Sequence, residues 1–232
     1  MQQPLRSTTV GTFGNASSLL ATHKVLRNTY MLLAATLLFS AVTAGLSMAI
    51  GAPRFTGLVC SLAAMALIWF ALPRTANSEK GIYVVFGITG LLGFGLGPML
   101  NHYLKLANGG ELVMTALGGT ALIFGALSGY VLTTKKDFSF MGGFLMTGLI
   151  VLLVASLGVV AASFFGLDVS MAFIAISAVS VLLFSGLILY DTSRIINGGE
   201  TNYIMATVAL YLDVYNIFTS LLHLLGFASS DD

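Results

Sequence analysis

Two aspartates, Asp191 and Asp213, are the residues best placed to do chemistry, because each lies inside a long apolar run. A carboxyl group at mid-bilayer depth costs about 2.5–3.5 kcal/mol on insertion scales, which makes such a residue a functional candidate by default. Only Asn197-Gly198-Gly199-Glu200-Thr201-Asn202 separates the two runs, and so short a polar connection makes them antiparallel neighbours. At 1.5 Å per residue Asp191 lies ~8 Å from the turn and Asp213 ~16 Å, so tilt must absorb roughly one helical turn if they are to meet.

Two carboxyls in contact in a low dielectric cannot both ionise without a large penalty, so the expected state is one shared proton and a pair that titrates as a unit. Three uses stay open: sensing pH, coordinating a hard cation such as Ca²⁺ through oxygen, or activating water for hydrolysis. A plainer role for Asp191 is pairing with Arg194 one turn along the same helix. Around Asp213, the positions Ala206, Ala209, Asn216, Ser220 and His223 recur every three or four residues and form a small, polar helical face. The opposite positions, such as Leu210, Val214, Ile217 and Leu221, are apolar, so the stripe is expected to face the bundle interior or a water-filled cavity, with this last helix surrounded by the others. His23 and His102 fall near segment ends, and Lys135-Lys136-Asp137 reads as a topological anchor. An intramembrane aspartyl protease is disfavoured, because Leu210-Tyr211-Leu212-Asp213 stands where Gly-x-Gly-Asp is required, and His-Glu-x-x-His is absent.

The elements that position these residues follow from composition. The chain is 57% hydrophobic and 8% charged, with a mean hydropathy of +0.95, whereas soluble domains carry about 25% charged residues. Such a chain cannot cover itself with a solvated surface. A net charge of +1 offers no field to recruit nucleic acid. The single cysteine, Cys60, excludes an intrachain disulfide. A membrane helix needs about 20 mainly apolar residues, and seven runs qualify, at roughly 29–50, 55–73, 81–104, 112–134, 141–165, 169–192 and 203–227. None alternates as a barrel strand would. The chain therefore reads as a polar tail over residues 1–28, a seven-helix domain over 29–227, and a short tail over 228–232.

Positive charges segregate across the alternating connections. Arg6, Lys24, Arg27, Arg74, Lys80, Lys135, Lys136 and Arg194 fall on one side, and Arg54 and Lys105 on the other. Positively charged short loops are retained in the cytoplasm, so the amino terminus is expected inside and the carboxy terminus in the periplasm. Glycines crowd the third run (Gly87, Gly90, Gly93, Gly95, Gly97) and the fourth (Gly118, Gly119, Gly125, Gly129), where small residues allow helices to approach closely. Pro98 offers the sharper alternative of a hinge.

Ile188-Leu189-Tyr190-Asp191-Thr192, Gly198-Gly199-Glu200-Thr201-Asn202-Tyr203 and Leu210-Tyr211-Leu212-Asp213-Val214-Tyr215-Asn216-Ile217-Phe218 together resemble the carboxy-terminal signature of the Bax inhibitor-1 family. Thr22–Tyr30, Leu117–Leu122 and Tyr130–Phe140 are similar to its proteobacterial YccA-like branch. The resemblance implies an all-α, seven-transmembrane-helix bundle with the last helix central, no enzymatic activity and no cofactor. For the branch it implies an inner-membrane protein that binds and inhibits the membrane AAA protease FtsH, together with its associated regulators, through a cytoplasmic tail that would here be an irregular segment of about 20 residues. For the wider family it implies the alternative of a pH-sensitive Ca²⁺ leak in which Asp191 and Asp213 form the latch. An arginine near the end of the second span takes part in some members, and Arg74 is the nearest match.

Overall fold

The computed structural model describes residues 11–229, with side chains from residue 22 onward. Helix α1 spans Gly11–Ala49, α2 Thr56–Thr75, α3 Lys80–Tyr103 and α4 Gly109–Thr134; α5 spans Gly142–Phe164, α6 Ser170–Ile196 and α7 Tyr203–Ala228. All seven are long and apolar enough to cross a bilayer. Their outward faces are as apolar as their inner ones. Leu38, Val42 and Leu46 recur at helical spacing on the exposed side of α1, a surface suited to hydrocarbon and not to water. Helix α1 begins at Gly11, inside the stretch read as an irregular tail, and residues 1–10 of that tail and 230–232 of the other lie outside the described residues.

Helix α7 is the hub. Its buried residues join all three apolar clusters, which no other helix among the described residues does. Leu210 and Tyr211 belong to the cluster with α1, α2 and α3; Phe218 and Leu222 to the one with α1, α3 and α4; Ile217 to the one with α5 and α6. Leu210 and Ile217, opposite the polar stripe, are as fully buried as Asp213, because neighbours surround α7 on every side. Helix α5 is the outlier and packs chiefly on α6.

The two glycine-rich helices behave differently. On α3, a Cβ at Gly93 would collide with Ser40, one at Gly97 with Ser47 and one at Gly95 would press on Cys60, so α3 is drawn tightly between α1 and α2. Of the four glycines inside the α4 apolar run, only Gly119 has a near neighbour, Leu221, while Gly118, Gly125 and Gly129 face open space. Pro98 does not hinge α3, which runs unbroken to Tyr103. The helix that deforms is α2, where a wider π-type turn at Leu67–Ala71 precedes Pro73, a residue with no N–H to give to the turn before it. Gly97→Leu is expected to cost about 1–3 kcal/mol through overpacking, whereas Gly125→Ala should stay within about 0.5 kcal/mol. Thermal unfolding of the detergent-solubilised protein compares them.

Candidate functional site: the carboxyl pair between α6 and α7

Asp213 sits ten residues into α7 and is 3% exposed. Asp191 sits five residues before the end of α6. The two carboxyl groups lie side by side, and Asp213 Oδ2 is buried with no hydrogen-bond partner. For residues at such unequal distances from the turn to meet, α7 must begin about 8 Å further from the bilayer centre than α6 ends.

The connection supplies this offset. Gly198 adopts φ 77°, a conformation that glycine takes without penalty, and closes the end of α6 by directing its N–H at Ile195 C=O while Gly199 N–H donates to Arg194 C=O at 2.8 Å. Asn202 then caps α7, its Oδ1 accepting from the N–H groups of Ile204 (2.9 Å) and Met205 (3.2 Å). The same amide donates to Ala76 C=O at 3.0 Å and Asn77 Oδ1 at 2.9 Å, so the start of α7 is pinned to the chain just beyond α2 and its depth is fixed.

The basic partner of the site is Arg194. Its guanidinium lies 4.0 Å from Asp191 and 3.7 Å from Glu200, donates to Gly199 C=O at 3.2 Å and stands 5.5 Å over the Tyr190 ring. Arg74, which the resemblance offered for this place, is exposed at the end of α2 and makes no ion pair among the described residues. The remaining stripe residues do not converge on the carboxyls. Asn216 donates back to Leu212 C=O at 2.8 Å, Ser220 is buried two turns beyond Asp213, and His223 is exposed beside the Tyr103 ring at 6.3 Å between centroids.

Residues not singled out by type complete the surroundings. The hydroxyls of Tyr30 and Ser128 are hydrogen-bonded, and Ser128 reaches Thr192 at 3.5 Å, so α1, α4 and α6 are tied together one residue beyond Asp191. Ser193 clamps the α4–α5 connection: its Oγ accepts from Phe138 N–H at 2.8 Å and Asn197 Nδ2 at 3.2 Å, and donates to Asp137 Oδ1 at 3.4 Å. No group of three His, Cys, Asp or Glu side chains suited to a metal occurs among the described residues. Ca²⁺ takes six to eight oxygens, so two carboxyls alone fit a passing cation better than a resident one.

The family model described as Inhibitor of apoptosis-promoting Bax1 matches residues 22–230. The chain belongs to the Bax inhibitor-1 family. Among family relatives, the modulator of FtsH protease YccA of Escherichia coli K12 is 54% identical over 93% of this chain and 95% of its own length. An uncharacterized membrane protein of Vibrio cholerae is 49% identical over 95% of this chain and 98% of its own. An uncharacterized protein of Pseudomonas aeruginosa is 47% identical over 90% of this chain and 91% of its own. The chain is thus a Bax inhibitor-1 family membrane protein with seven transmembrane helices.

Asp137 allows a test of the Ser193 clamp. Hydrogen bonds from Ser139 hold its carboxyl below the usual value of 3.8, with Ser193 adding to them. A carboxyl lowered by folding stabilises the fold above its unfolded pKa and loses that contribution as pH falls through the folded one. Asp137→Asn should therefore lower the thermal midpoint at pH 6, and the difference from the parent protein should close below pH 3.8.

Proposed function

We propose that the protein is a non-enzymatic modulator of an FtsH-type AAA protease in the bacterial inner membrane. The observation that carries this reading is the near full-length match to YccA, named as a modulator of FtsH protease, at 54% identity. A second E. coli relative at the same identity is named an inner membrane protein. The charge count adds an orientation, since eight of the ten Lys and Arg residues fall on the side that retains the amino terminus in the cytoplasm. That side also carries the Asn197–Asn202 turn and the Ser193 clamp. Crosslinking in cells followed by purification is expected to recover the protease with the full-length chain. Deleting residues 1–20 should restore substrate turnover by the protease while leaving the bundle intact; unchanged turnover, with no protease recovered, would remove the proposal.

A second reading is favoured by a specific observation, the buried Asp213 carboxyl beside that of Asp191, with Asp213 Oδ2 unpartnered. In this reading the pair is a proton-sensitive latch on a Ca²⁺ leak, with Ca²⁺ and H⁺ as cargo and signal. Loss of the shared proton leaves two anions side by side, and the contact between α6 and α7 has to rearrange. Ca²⁺ flux into proteoliposomes should depend on pH, and Asp213→Asn or Asp191→Asn should flatten that dependence. Flux indifferent to both substitutions would leave the pair with a structural task only.

A further inference from the structure

We propose that the cleft between α1 and α4 binds one acyl chain of a membrane phospholipid. Helices α1 and α4 meet at one end, where Tyr30 contacts Phe124 and bonds to Ser128. Beyond that contact they part. The gap between them is a cavity of about 480 Å³, floored by Tyr211, Val214, Tyr215 and Phe218 of α7 and closed behind by Leu96 and Leu100 of α3.

Three observations select the occupant. The first is length: the cleft runs from Leu37 to Met48 on α1 and from Phe124 back to Val113 on α4. Each stretch is about 16 Å of helix, which matches the ~15 Å depth of one leaflet of a ~30 Å hydrocarbon core. Because α1 ends at Ala49, the cleft spans the outer part of that helix, from near mid-bilayer to the surface on the side of the α1–α2 connection. The second is cross-section: a helix with its side chains is about 10 Å across and rises 5.4 Å per turn, so 480 Å³ holds little more than one turn of a partner helix. A hydrocarbon chain fits where a helix does not.

The third observation is that the lining has little to offer water or an ion. Ser40 and Tyr211 bond to each other at 2.6 Å, Tyr211 also donates to Thr89 C=O, and Thr120 donates to Ala116 C=O at 2.7 Å. Among the described lining residues the Tyr215 hydroxyl alone lacks a protein partner, and a buried water needs two to four. Left unfilled, the walls would forfeit dispersion contacts along the whole cleft. The mouth is kept open by small residues, Ala41 and Gly45 on α1 and Ala121 on α4, and a Cβ at Gly45 would meet nothing within 4 Å.

The test uses the full-length protein in vesicles of phosphatidylethanolamine and phosphatidylglycerol, doped with a phosphatidylethanolamine that carries a photoactivatable diazirine in one acyl chain. After irradiation, mass spectrometry should find label on α7 between Tyr211 and Phe218, residues walled in by other helices, as well as on the outward face of α5. Gly45→Phe and Ala121→Phe, which fill the cleft from opposite walls, should each lower the α7 label several-fold and leave the α5 label unchanged. Leu157→Phe on the exposed face of α5 should lower neither. The proposal is overturned if α7 is unlabelled in the parent protein or if both cleft-filling variants label α7 as fully as the parent.

Discussion

A carboxyl group in the middle of a hydrocarbon layer needs a hydrogen-bond partner, because nothing in the surrounding lipid can solvate it. Asp213 meets this constraint by lying buried on the central helix, with its carboxyl beside that of Asp191. Much of the nearby architecture follows from keeping those two residues at one depth. The closed end of α6, the extended run into Asn202 and the bond from that amide to Ala76 all set how far out α7 begins. Arg194 then stands between Asp191 and Glu200, a counter-ion shared by the intramembrane pair and the turn outside it.

The seven spans are legible in the sequence because 20-residue apolar runs have no other comfortable home, and the charge bias sorts their connections. The site was legible in part, for a related reason. An aspartate in an apolar run stands out by type alone, and the shortness of the 197–202 stretch makes two such residues neighbours. Arg194 was legible too, because it lies one turn from Asp191 on the same helix, whereas only the folded chain shows that Arg74 stays exposed and makes no ion pair among the described residues. The Ser193 clamp is less visible still: its partner Asp137 is 56 residues away and the serine has no unusual local pattern. The glycines make the same point. Those on α3 and α4 look alike in sequence, but only α3 is pressed between two neighbours.

The cleft and the carboxyl pair occupy opposite ends of one helix pair's reach. Tyr211 and Tyr215, on the turns flanking Asp213, form the deep floor of the cleft. The Tyr30–Ser128–Thr192 chain of hydroxyls closes α1 against α4 on the other side of that floor. Thr192, next to Asp191, bonds through Ser128 to Tyr30, so the carboxyl pair and the closed end of the cleft share one chain of hydroxyls.

The central position of α7 also bears on how the protein is made. A ribosome releases the seven helices in order, and the one on which all three apolar clusters depend is released last. Until it arrives, the first six helices have no axle: the inner faces of α1, α3, α4 and α6 look onto an unfilled slot, and Asn77 waits for Asn202 across 125 residues of chain. The bundle is thus completed only when the chain from residue 203 onward is in place.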